Sequence, residues 1–173
     1  MTELGFRGRG FEDEILETAR IYWATRTAYL QRFQVPRVFR NGHAIYTQNT
    51  GYDFVGSHFL PGGEARSLYV EAKDIDKNTL PILEPVVAVR GMKTKSQGHG
   101  VKFHQLVMLA ELAGQGAECW VLWRKGTHVF RLEPQFLLMT VKPGNTLGFL
   151  DVPTECVVDC SQGIDFLNAL RKH

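Results

Sequence analysis

Two segments of similar character, Tyr52–Leu60 and Arg66–Asp74, flank Pro61-Gly62-Gly63, and nothing else in the chain constrains its fold as tightly. Both are rich in the β-branched and aromatic residues of strands, and a proline followed by two glycines is turn chemistry. Together they predict a β-hairpin. Asp53 stands ten residues before Gly63 and Lys73 ten after it, so antiparallel pairing sets Asp53 across from Glu71–Lys73, to within a residue or two. Side chains alternate between faces along a strand. Glu71 and Lys73 therefore leave one face, and Leu68, Val70 and Ala72 the other.

The flanking segments supply layers for such a sheet. Phe11, Ile15, Ala19, Tyr22, Trp23, Tyr29 and Phe33 recur at helical spacing and predict a helix from about Phe11 to Arg32, with Glu12, Asp13 and Glu14 in its first turn. His43–Gln48 alternates weakly, as a strand would. Residues 75–102, with two prolines and three glycines, read as a long loop with a short strand near Val86–Val89. Leu106, Leu109 and Leu112 predict a helix over Phe103–Ala113 that stops at Gly114. Glu118–Trp123 and Thr127–Leu132 form a strand pair around Lys125-Gly126. Pro134–Thr140 and Gly163–Lys172 read as helices. This order predicts an α/β chain with a mixed central sheet flanked by helices.

Two carboxylates and an ammonium at one spot on rigid strands suit Mg²⁺ or Mn²⁺, which take hard oxygen ligands. The lysine can hold a water and neutralise charge developing on a phosphate. The plainer alternative is a cross-strand ion pair. Two residues extend the cluster. Glu12 lies beside Phe11 and Ile15, the stripe that packs on the sheet, and Gln105 opens the second core helix; as alternatives, Glu12 compensates a helix dipole and Gln105 faces solvent.

The net charge of +2 hides a segregation. No acid lies between Glu17 and Asp53, where Arg20, Arg26, Arg32, Arg37 and Arg40 occur. None lies between Glu84 and Glu111, which span Arg90, Lys93, Lys95 and Lys102. Such stripes suit a polyanion-binding face, or are unevenly charged solvated surfaces. A length of 173 residues suits a single domain over 1–173, and no apolar run approaches a membrane span. Charges begin at Glu3, without the apolar core of a signal peptide. Cys119, Cys156 and Cys160 are odd in number and lack CxxC spacing, so a cytoplasmic location is expected, without disulfides or zinc. Trp120 and Trp123 read as packing or dimer-contact residues, with base stacking as the alternative.

Taken together, Arg7-Gly8, the run from Phe11-Glu12 to Glu17-Thr18, Asp53-Phe54-Val55-Gly56, Val70-Glu71-Ala72-Lys73 and His104-Gln105 resemble the PD-(D/E)xK nuclease superfamily. More narrowly, they are similar to Holliday junction-resolving enzymes of the bacterial RecU type, over roughly residues 7–132. The resemblance implies a restriction-endonuclease-like fold. It implies that Asp53, Glu71 and the Ala72 carbonyl bind divalent metal, that Lys73 helps activate water, that Glu12 completes the acidic cluster and that Gln105 supports it. It also implies branched, four-way DNA as substrate and a homodimer; Arg7 and Arg9, with Arg90, Lys93, Lys95 and Lys102 of the acid-free stretch, are the expected DNA contacts. Two departures stand out. Only Gln34–Tyr52 fills the place of a longer insertion before the aspartate, and the link from Glu-x-Lys to His-Gln is longer. The short form is closer to archaeal resolvases. A less selective nuclease of the superfamily and an inactive junction-binding protein remain as alternatives.

Overall fold

The computed structural model describes residues 4–34, 37–40, 43–46, 51–84, 99–158, 160 and 164–167, with side chains described at all but 4–9, 37–40 and 43–46. Helix α1 spans Leu4–Ala24 and buries Phe11, Ile15, Ala19 and Tyr22, one stripe at three- and four-residue spacing. It ends well before Arg32. Thr25 Oγ1 donates back to the Ile21 carbonyl at 2.9 Å, Arg26 takes a positive φ of 54°, and strand β1 (Ala28–Arg32) follows. Tyr29 and Phe33 thus leave the expected helical stripe. Ala28 and Leu30 are buried and Tyr29 is exposed, the period of two of a half-buried strand. The helix also begins earlier than expected, so Glu12 lies more than two turns from its start. Dipole compensation fades within the first turn and does not account for that residue.

The remaining strands are β2 (Arg37–Arg40), β3 (His43–Tyr46), β4 (Phe54–Phe59), β5 (Ala65–Asp74), β6 (Thr79–Leu83), β7 (Val101–Lys102), β8 (Glu118–Lys125), β9 (His128–Leu132), β10 (Thr146–Gly148) and β11 (Val157–Val158). Helices α2 (Phe103–Gly114) and α3 (Pro134–Thr140) lie where the sequence puts them. The main sheet has the order β1-β4-β5-β8-β9-β11 and is mixed: β5 and β8 run parallel, and its other neighbours antiparallel. A small sheet, β10-β6-β7, and the β2–β3 pair complete the described strands. The architecture is α/β with a mixed central sheet between helices.

The predicted hairpin is β4–β5. Phe54 pairs with Val70 and Phe59 with Ala65, around a turn in which Gly62 and Gly63 take φ of 105° and 89°, values that favour glycine. Gly56 has a different reason: a Cβ there would meet the Tyr29 carbonyl oxygen of β1 at 1.8 Å. The loop expected over 75–102 contains β6, and the strand expected near Val86–Val89 lies outside the described residues. Ile164–Leu167 is not helical, which corrects the terminal helix over the part that is described. Its backbone turns tightly instead, Phe166 N–H donating to the Ile164 carbonyl, and is held by contacts to the core: Leu167 N–H donates to Tyr22 Oη at 3.1 Å, and Arg131 Nη1 donates to the Phe166 carbonyl at 2.6 Å.

Apolar clusters cover both faces of the main sheet. Phe11, Ile15, Phe54, Leu68, Val70 and Leu122 meet on the α1 face; Leu106, Leu109, Val121, Trp123 and Leu132 meet on the α2 face. Each fully buried side chain of this size contributes roughly 1.5–3 kcal/mol. Cys119 and both tryptophans Trp120 and Trp123 are buried, so they serve packing. No helix among the described residues is long and apolar enough to cross a membrane.

Candidate active site

The site forms where β4 stops and β5 continues. The β4–β5 pairing ends at Phe54–Val70, and Asp53 follows beside the Val70–Ala72 segment. The Asp53 N–H donates to the Val70 carbonyl at 2.9 Å, and its carbonyl accepts from Phe33 N–H at 2.8 Å, which ties it to both neighbouring strands. Its Oδ2 accepts from the Ala72 N–H at 2.8 Å. Within a strand, a residue's N–H and carbonyl point to the same side, so the Ala72 carbonyl is also turned toward the space beyond β4.

Glu71 and Lys73 leave the face opposite Leu68, Val70 and Ala72, as alternation requires. Glu71 is fully buried. Its Oε1 is in contact with Lys73 Nζ, whereas its Oε2 has no hydrogen-bond partner among the described residues. Burial raises the Glu71 carboxyl to about 7; Asp53 adds to the rise, and Lys73 and Gln105 oppose it. For Lys73, burial pulls the ammonium down, but Glu71 and Asp53 push harder, and the net direction is up.

Glu12 approaches from α1. Its side chain is 33% exposed, against 65% for Asp13 and 56% for Glu14, so of the three it turns furthest inward. Burial raises its carboxyl, Asp53 raises it further, and Arg32 and Lys73 oppose. Arg32 was not singled out from the sequence, because the helical reading ran through it. On β1 its Nη2 lies 3.2 Å from Glu12 Oε2 and 2.8 Å from Asp13 Oδ1. Arg124, also missed, donates to both oxygens of Asp74 and to Glu14 Oε1, and its guanidinium lies over Phe11. It ties α1 to the same end of β5 and β8.

Gln105 is buried, not solvent-facing, and its Oε1 accepts from the Lys102 N–H at 3.1 Å at the start of α2. Lys102 is the last residue of β7. Arg7 and Arg9 lie on α1, where only the backbone is described, and Arg90, Lys93 and Lys95 lie outside the described residues. The structure therefore brings Asp53, Glu71, Ala72, Lys73, Gln105 and, from the opposite face, Glu12 to one end of the sheet. No group of three or more His, Cys, Asp or Glu side chains among the described residues gathers closely enough to hold an ion. Asp53, Glu71 and the Ala72 carbonyl are the nearest set of oxygens, with Lys73 beside them.

No family model matches the chain, and no curated protein matches it. Among solved structures, it is similar to Hjc of Archaeoglobus fulgidus, a Holliday junction resolvase, at 17% identity and a TM-score of 0.48, over 84% of this chain and 87% of that one.

Proposed function

We propose that this chain is a metal-dependent DNA endonuclease of restriction-endonuclease-like fold. In this reading it resolves four-way junctions as a homodimer, each subunit nicking one of two opposed strands. The observation that carries the reading is Glu71. Its carboxylate is fully buried, and its Oε2, like His104 Nε2, has no partner among the described residues, which is costly in a protein interior. A divalent cation fits that opening. Asp53, Glu71 and the Ala72 carbonyl would hold Mg²⁺ or Mn²⁺, with Glu12 completing the acidic set. Such an ion, when bound, acidifies a water and neutralises phosphate charge.

The chain's own residues supply the rest. Lys73, kept charged by its acidic neighbours, orients the attacking water and offsets the negative charge that grows on the phosphate. Gln105 supports Glu71 from α2. Asp53 is fixed by its backbone ties to Val70 and Phe33, so the water and the phosphate meet a preorganised set of oxygens.

Cleavage of a four-way junction and of linear duplex, each with Mg²⁺, Mn²⁺, Ca²⁺ or excess chelator, tests the proposal. The expected result is cleavage of the junction with Mg²⁺ or Mn²⁺, little with Ca²⁺ and none in chelator. Equal cleavage of both substrates assigns a less selective nuclease, binding without cleavage assigns an architectural protein, and full activity in chelator removes the metal from the reading.

A further inference from the structure

Beside the acidic cluster lies a row of aromatic rings that the chemistry above leaves unused. Phe33 and Tyr52 meet with ring centroids 4.9 Å apart, and Tyr52 and Tyr69 at 4.8 Å. All three are joined to the site: Phe33 N–H donates to the Asp53 carbonyl, Tyr52 precedes Asp53, and Tyr69 shares its strand face with Glu71, two residues away. Each ring is partly exposed, unlike Trp120 and Trp123. The surface continues along the same face of β5. Past Tyr69 a cavity of about 300 Å³ opens between the strand and the end of α2, lined by Arg66, Ser67, Leu112 and Gln115 among others.

We propose that Phe33, Tyr52 and Tyr69 form a stacking shelf for unpaired bases of the DNA strand that reaches Glu71, and that the cavity beyond receives the next nucleotide. This rests on the reading of the site as a DNA nuclease. Three features favour this occupant over an apolar protein surface. The row is continuous with the reaction centre. A strand advances about 3.4 Å per residue, so Glu71, Tyr69 and Ser67 follow one another roughly 7 Å apart on one face, a step suited to successive nucleotides of an extended strand. The rim is polar in the matching sense: Ser67 and Gln115 offer hydrogen bonds to base edges, and Arg66 offers a cation to phosphate.

The test uses the whole protein in excess chelator, where DNA is bound but not cut, so that it is independent of catalysis. Oligonucleotides carrying 2-aminopurine at successive unpaired positions report stacking directly. The wild-type protein should quench the probe at positions on one side of the cleavage point. Tyr69→Leu and Tyr52→Leu should each weaken binding of a short unpaired oligonucleotide by roughly 5- to 150-fold, the range of one lost base–aromatic stack. Duplex affinity should hold, and Tyr69→Phe should bind like wild type because it keeps the ring. Absence of quenching by the wild-type protein overturns the shelf without any variant, as does wild-type affinity in both leucine variants. A loss of affinity that tracks a shift to monomer in sedimentation assigns the row to a contact between copies, which also overturns it. Quenching by a protein that never cuts in Mg²⁺ removes the nuclease reading and leaves the shelf standing as a binding site.

Discussion

Two glutamates sit in this sheet beside a basic partner, in opposite condition. Glu118, at the start of β8, has both oxygens engaged: Oε2 lies 2.6 Å from His58 Nδ1, and Oε1 accepts from Trp120 Nε1 at 3.0 Å. Glu71 is the more deeply buried of the two, yet with Lys73 on one oxygen and Gln105 beside it, its Oε2 has no hydrogen-bond partner among the described residues. An acid that serves the fold alone is answered at each oxygen, since an unanswered buried oxygen costs stability. Glu118 fits that role. In the proposed reading the open oxygen of Glu71 is where the metal binds, and this contrast separates site from scaffold.

The largest expected effect breaks the contrast on the Glu71 side. Asp53→Asn, Glu71→Gln and Lys73→Ala should each lower cleavage by roughly 10³-fold or more, while junction binding persists or tightens as phosphate repulsion is relieved. Binding and cleavage falling in parallel would make these residues structural. Next comes Glu12→Gln, expected to slow single-turnover cleavage by at least ~10²-fold, with Asp13→Asn and Glu14→Gln near wild type. Equal mild effects in all three would return α1 to the scaffold.

Stability sharpens the comparison further. The Glu71 carboxyl is raised to about 7, so the folded chain favours its protonated form. The stability this gives is fully present below the ordinary carboxyl value of 4.5 and is lost as pH rises through about 7. Thermal melts of metal-free protein between pH 5 and 8 should therefore show stability falling by on the order of 1–3 kcal/mol, and Glu71→Gln should flatten that slope. Glu118→Gln should act differently, lowering stability at pH 7 by about 1–3 kcal/mol while the cleavage rate stays as in wild type. An unchanged slope in the first variant, or lost cleavage in the second, would erase the distinction. The smallest effect is expected from Lys93→Ala with Lys95→Ala: a severalfold rise in the junction dissociation constant, and a salt dependence shallower by about one unit per lost contact.

Much of the site was legible because its determinants are local. Turn chemistry and the period of two fix a hairpin from a few residues, and with it the placing of Asp53 against the Glu71–Lys73 segment, to within a residue or two, and the shared face of Glu71 and Lys73. The beginning and end of α2 and α3 were legible for the same reason. The misses came where long-range packing overrides a local pattern. Tyr29 and Phe33 happen to continue the α1 spacing, although the chain has already turned at Arg26 into β1. Pro81 disguised β6, whose Leu80 and Ile82 are buried between β10 and β7. Arg32 and Arg124 could not be found from the sequence, since each acquires its role from acids on another element.

The hairpin that builds the site also limits how this chain can change in length. Residues added at the Gly62–Gly63 tip, which faces open space, leave the pairing of β4 with β5 intact. Between Ala65 and Lys73 the case is different. Losing or gaining one residue there would exchange inside for outside along the strand, sending Glu71 and Lys73 toward the α1 core and presenting Val70 and Ala72 in their place. Only an even number of inserted residues keeps the two faces of that strand as they are.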